Sequence, residues 1–136
     1  MNRALALEEL NRARGVARCC GSDPQVAVPP LVRDARLDAA AQLHSEEMAR
    51  RELLDHFSAS GASAFDRIRA AGYSFRAAAE NIASGNERAD ATIAQLVGSP
   101  GHCRNIMSPL YLHVGIGHAR SPSGQHYWTL DFAAPW

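Results

Sequence analysis

The strongest constraint on the fold lies near the C-terminal end of the chain. Leu112, Val114 and Ile116 alternate with His113, Gly115 and Gly117, and His126, Trp128, Leu130 and Phe132 alternate with Tyr127, Thr129 and Asp131. A period of two is the signature of a strand. Ser121-Pro122-Ser123-Gly124 between the two runs is a turn sequence, so this segment predicts a β-hairpin. Most of the chain before it has a helical period. Residues 4–18 carry Ala6, Leu10, Ala13 and Ala17 on one stripe. A second helix is expected from Asp38, read as its N-cap, to about Leu53, with Leu37, Ala41, His44 and Met48 on its apolar face. A short helix over 63–71 ends at Gly72, and a fourth, capped by Asp90, carries Ile93, Leu96 and Val97 and ends at Gly98. Residues 19–30 are rich in Gly and Pro and predict a loop, and 77–84 offers a further strand. Helices followed by a small antiparallel sheet point to an α+β sandwich. No domain boundary is visible, so residues 1–136 are expected to form one domain.

Charge removes several functions. Fourteen basic and fourteen acidic residues cancel, with no basic stripe, which argues against nucleic acid as a partner. Every basic residue is Arg. Lysine-based Schiff-base chemistry and a Walker-type phosphate loop are therefore excluded. No apolar run is long enough to span a membrane. No secretory leader is visible either, so the chain is either cytosolic or a mature region without its leader.

In "SPGHCRNIM", residues 99–107, a histidine and a cysteine sit side by side at a helix start. Ser99 at the N-cap and Pro100 at the first helical position mark that start and put His102 near the third. Neighbouring helix positions point about 100 degrees apart. His102 and Cys103 therefore serve different ends and make a poor Cys–His dyad. The positive end of the helix dipole favours neutral imidazole at His102, the form that binds a metal or acts as a base. His56 follows the second helix and precedes a Gly/Ser loop, a placement suited to a cleft. Glu80 stands among Ala and Ile, where a carboxylate needs a partner or its pKa rises. Two His and one Glu can hold zinc with one position open, which makes His56, Glu80 and His102 the candidate set, although neither H-E-x-x-H nor G-x-S-x-G is present. His44, on the core stripe, reads as a satisfied core histidine. His113, His118 and His126 read as strand-surface or edge residues of the hairpin.

The three cysteines are Cys19, Cys20 and Cys103. Three reduced, buried thiols are one possibility. The other is a bridge from the adjacent pair to Cys103, which the chain-entropy model credits with roughly 4 kcal/mol.

Six segments fall in a recognisable order: "AQLHSEEMARRELLDHFSASG", "DRIRAAGY", "AENIASG", "SPGHCRNIM", "LHVGIGHA" and "YWTLDFA". Together they resemble the bacterial branch of the CAP superfamily, the SCP-like extracellular domain, and the likeness covers nearly the whole chain. The resemblance implies an α-β-α sandwich with a three- or four-stranded antiparallel sheet between helical layers. It also implies a cleft lined by two His and two acidic residues. His56 matches the first His, Glu80 the first acid and His102 the second His. The second acid is missing, Ser99 stands near where bacterial members carry Ser, and Leu96 replaces a frequent Trp. Asn81 and Ser99 would line the cleft. A neutral hydroxyl is a poor metal ligand, so a zinc site on His56 and His102, with Glu80 acting through water, would be weak. The resemblance pairs Cys103 with Cys20, or failing that Cys19, and so implies an oxidising, extracellular or periplasmic compartment with the leader removed.

The expected function is then a secreted, monomeric binding module for a small apolar, lipid-like or peptide ligand. The alternative is a metal-assisted or His/Glu-dependent hydrolase of protease type, with His56, Glu80 and His102 as catalytic groups. A third reading makes the His/Glu cluster a structural hub.

Overall fold

The computed structural model describes residues 3–136. Helix α1 (Arg3–Arg14) is followed by the short strands β1 (Arg18–Cys20) and β2 (Asp23–Gln25), then β3 (Val32–Arg33). Next come α2 (Ala35–Arg51), α3 (Ala64–Ala70), β4 (Phe75–Ser84), α4 (Ala89–Val97), α5 (Pro100–Met107), β5 (His113–Arg120) and β6 (His126–Pro135). Four strands form the main sheet in the order β3-β5-β6-β4. Its three long strands are antiparallel, and the two-residue β3 runs parallel to β5 at one edge. Helices α2 and α3 cover one face and α1, α4 and α5 the other, the α-β-α sandwich that the sequence resemblance implies.

Several boundaries differ from the sequence reading. Helix α1 stops at Arg14, and Ala17 is exposed beyond it. The expected loop over 19–30 contains a small antiparallel hairpin, β1 with β2. It turns at Gly21, whose φ of 63° suits glycine. The N-cap of α2 is Asp34, which accepts from the backbone N–H groups of Arg36 and Leu37, rather than Asp38. Asp38 is a buried first-turn residue that receives Arg33 Nε at 2.8 Å and the Ile116 N–H at 2.9 Å. Both aspartates resemble caps locally, and the earlier one lies where the chain leaves β3. Likewise Arg88, not Asp90, is the N-cap of α4. Asp90 lies in the first turn, where its carboxylate faces the positive helix end.

The face under α1, α4 and α5 is dry. Val114, Ile116, Leu130 and Phe132 are fully buried there with Leu10, Leu96, Ile106 and Met107. Cys20 and Cys103 form a disulfide that staples β1 to α5, and Cys19, one residue away on the strand, is exposed and free. Arg14 is also buried. Its guanidinium donates to the carbonyls of Pro29, Ile106 and Ser108, tying the end of α1 to the end of α5. On the opposite face α2 lies directly on the backbone of β5. A Cβ at Gly115 would overlap the Leu37 carbonyl, and one at Gly117 the Ala41 carbonyl. This close approach is why those positions are glycine.

Candidate functional site

The site sits at the β4 edge of the sheet. Glu80 projects from β4 toward the α2 side, where its side chain is 2% exposed. His56, in the loop after α2, places Nδ1 3.0 Å from Glu80 Oε1. Arg67, on α3, donates from Nη2 to Glu80 Oε2 at 2.7 Å and from Nη1 to the His56 carbonyl at 2.8 Å. Local chemistry fixes α3 in place: Ser63 and Asp66 form a reciprocal capping box at its start. Helix α2 ends at Glu52 in the left-handed region, φ 51°, which turns the chain toward His56.

Burial pushes the Glu80 carboxyl up. The hydrogen bond from His56, then Asp131 and Arg67, outweigh it and bring the pKa down to about 2. An ionised Glu80 accepts, so His56 donates through Nδ1 and turns Nε2 away from Glu80. Carboxylate-oriented imidazoles of this kind serve as bases and as metal ligands.

His102 lies across the sheet edge, at the third position of α5. Burial, and then the charge of His56, hold its pKa below the usual imidazole value. Ser99 is the N-cap residue, but its hydroxyl does not cap the helix; it lies 3.1 Å from His102 Nδ1. Asn81, expected to line the cleft, is fully buried. Its amide donates to the His102 carbonyl at 3.1 Å and accepts from Asn105 at 2.9 Å. Asn81 therefore braces α5 against β4 from behind the cleft, because strand alternation sends it to the face opposite Glu80.

The sequence reading missed two members of the cluster. Arg67 belongs to "DRIRAAGY", a segment noted only for its resemblance. Asp131 stands directly opposite Glu80 in the β4–β6 ladder and is fully buried. Among the described residues, neither of its oxygens finds a partner of ordinary hydrogen-bond geometry. Burial, and then the Glu80 charge, raise its pKa well above the usual carboxyl range, so Asp131 is the protonated member of the pair. Tyr127, Thr129 and Asp131 form the row that alternates with the apolar one, and all three are buried. Helix α2 covers that row, and Ser45 meets Thr129 at 2.7 Å. His44 is buried as expected of a core histidine but is only half satisfied, with Nε2 donating to the Asp55 carbonyl at 2.7 Å. Its Nδ1 has no partner among the described residues.

Beside the cluster lies a hollow of about 180 Å³ lined by His56, Phe57, Ser63, Ala64, Phe65 and Glu80. Phe57 is 55% and Phe65 43% exposed, and Leu53 and Leu54, earlier in the same loop as His56, are exposed as well. The floor is polar and charged; the walls are aromatic. Among the described residues no three His, Cys, Asp or Glu side chains are gathered closely enough to hold a metal ion. Glu80 already has an occupant on each oxygen, so the donors left for a metal are nitrogens of His56 and His102.

Comparison with known proteins follows the same lines. The chain is 34% identical over 103 residues to the uncharacterized protein YkwD of Bacillus subtilis (strain 168), covering 76% of this chain and 39% of YkwD. It is 30% identical over 93 residues to the uncharacterized membrane protein YlbC of the same organism, covering 68% of this chain and 25% of YlbC. It thus spans well under half of either relative. Among solved structures, an outer surface protein of Borrelia burgdorferi superposes with a TM-score of 0.81 at 16% identity, over 98% of this chain and 92% of that one. An extracellular protein of Bacillus anthracis str. Ames containing an SCP domain gives 0.69 at 24% identity, over 78% of this chain and 34% of that one. No helix among the described residues is long and apolar enough to cross a membrane. The family model described as the cysteine-rich secretory protein family matches residues 7–132, and the chain belongs to that family, the CAP family.

Proposed function

We propose that this chain is a one-domain, monomeric binding module that acts outside the cytoplasm and holds a small apolar or amphiphilic ligand, a lipid-like chain end or an apolar peptide side chain, in the hollow beside His56. The observation that carries this reading is the pairing of a polar floor, His56 with Glu80, to exposed aromatic walls, Phe57 and Phe65. Exposed aromatics around a concave site mark ligand contact more often than accident. The hollow is comparable to the cavity of about 150 Å³ that suffices for benzene, so it takes one ring or a short stretch of acyl chain. The Cys20–Cys103 disulfide and the extracellular or surface neighbours support an oxidising compartment.

Calorimetry with decanoate and with N-acetyl-phenylalaninamide tests the reading. Binding to the wild type that weakens by about tenfold in Phe57→Ala or Phe65→Ala supports it. No heat with either probe, together with His56-dependent cleavage of an unstructured protein substrate, overturns it in favour of a hydrolase. One observation favours that second reading: the Glu80–His56 bond leaves His56 Nε2 as a base. Any divalent ion in the cleft, zinc included, would rest on His56 and His102, with Glu80 acting on it through His56 or water. Phosphate-free zinc titration of wild type and His102→Ala measures that contribution.

A further inference from the structure

Two histidines of the β5–β6 hairpin play no part in the cleft. His118 Nε2 lies 2.9 Å from His126 Nδ1. The two rings are within 17° of parallel with centroids 5.0 Å apart, so they meet edge to edge, nitrogen to nitrogen. We propose that His118 and His126 form a binding site for a tetragonal divalent transition-metal ion, copper(II) above others, at the turn end of the hairpin.

The spacing puts both nitrogens within reach of one ion: 2.9 Å is their hydrogen-bond distance, and neighbouring ligands with metal–nitrogen bonds of about 2.0–2.1 Å stand about 2.9–3.3 Å apart. Imidazole nitrogens suit copper and nickel, and the general affinity order places copper(II) above both nickel(II) and zinc(II). Binding needs the two lone pairs to converge on one ion, and the His126 ring, on which no indole stacks, is the one that turns about its Cβ–Cγ bond to do so. The proton of the N–H···N bond moves to the other nitrogen of its own ring through solvent, so no net proton is gained or lost. Solvent fills the remaining positions.

The surroundings hold the pair ready. Trp128 stacks on His118, with ring centroids 4.1 Å apart and planes within 16°. Gln42 of α2 clamps the His118 backbone on both sides, donating to its carbonyl and accepting from its N–H, each at 3.0 Å. Next to His118 opens a hollow of about 600 Å³ whose lining includes Glu87, Arg88, Asp90, His118 and Trp128. Asp90 is held by Arg88 at 2.7 Å.

The test uses the Cys19→Ser/Trp136→Phe protein without a purification tag. This background removes the exposed thiol, which would bind copper itself, and the exposed second indole. Copper(II) is titrated by calorimetry while Trp128 emission is followed, since a paramagnetic ion beside His118 quenches the stacked indole. The expected result is one copper per chain, quenching in step with occupancy, and binding tighter than for zinc(II). His118→Ala and His126→Ala should each weaken the binding that quenches Trp128 by at least about tenfold, while His56→Ala and His102→Ala, which remove only an ion held in the cleft, leave the quenching unchanged. Wild-type affinity retained in both hairpin variants, or zinc held more tightly than copper, overturns the proposal. His126→Ala leaves the His118–Trp128 stack in place, so its result stands even where His118→Ala disturbs the fold.

Discussion

The two faces of the main sheet are built on different principles. Under α1, α4 and α5 the strands present Val114, Ile116, Leu130 and Phe132 to an apolar layer closed by a disulfide. Under α2 and α3 the same strands present Thr129, Asp131 and Glu80, and the helices answer with Ser45, His44 and Arg67. Strand alternation separates the two sets. The dry face draws its stability from area and volume, which are indifferent to pH. The polar face holds a buried network in which each member constrains the protonation of the next. The His56–Glu80–Arg67 cluster sits on the second face because buried charge can be tuned and hydrocarbon cannot.

The largest expected effect sharpens this contrast from the dry side. Loss of the Cys20–Cys103 bridge, by Cys103→Ser or by reductant, releases a staple across 83 residues of sequence. It should lower stability by about 4 kcal/mol, read by urea denaturation with and without reductant. The His56–Glu80 contact on the other face should survive, as an unchanged His56 NMR titration would show.

Glu80→Gln attacks the polar face. It leaves the Arg67 guanidinium, 10% exposed, without its anion, at a cost of about 3 kcal/mol. The effect depends on pH with a definite sign. Because the folded pKa of Glu80 lies near 2, below its ordinary 4.5, its contribution is full above about 4.5 and disappears as pH falls toward 2. Wild type and Glu80→Gln should therefore converge in melting temperature at about pH 2 and below. A gap that persisted there would show that shape, not charge, holds this face.

Gly117→Ala tests the seam between sheet and helix. The added methyl meets backbone of α2 rather than a yielding side chain, and about 1–3 kcal/mol should be lost. A neutral outcome would mean that α2 can lift off β5, and the polar network with it.

Asp131→Asn should have the smallest effect and the opposite sign. The raised pKa of Asp131 means that its contribution is present below its ordinary 3.8 and is lost as pH rises, since the folded chain must keep protonated a group that the unfolded chain ionises. The variant should melt higher than wild type at pH 8 and match it below pH 4. Equal destabilisation at both values would make Asp131 a packing residue and end its role in the charge pattern.

What was legible in the sequence was local. The alternation around Ser121–Gly124 specified β5 and β6, Pro100 marked the start of α5, and the stripe Leu37-Ala41-His44-Met48 specified the buried face of α2. Local placement pointed to His56, Glu80 and His102, and ordered motifs, not periodicity, pointed to the family and to Cys103 with Cys20. Helix caps were less legible, because Asp34 and Asp38 carry the same local signal and only the path out of β3 separates them. Whether Tyr127, Thr129 and Asp131 face water was decided by α2, more than seventy residues away in sequence. The pairing of Glu80 with Asp131 depended on the register of two strands distant in the chain, and that of Glu80 with Arg67 on how α3 docks against β4. Period and capping act within a few residues of one another, so the chain's own order determined the elements. Which charges share a buried site depends on what the assembled faces exclude from water, and that was decided by the tertiary structure alone.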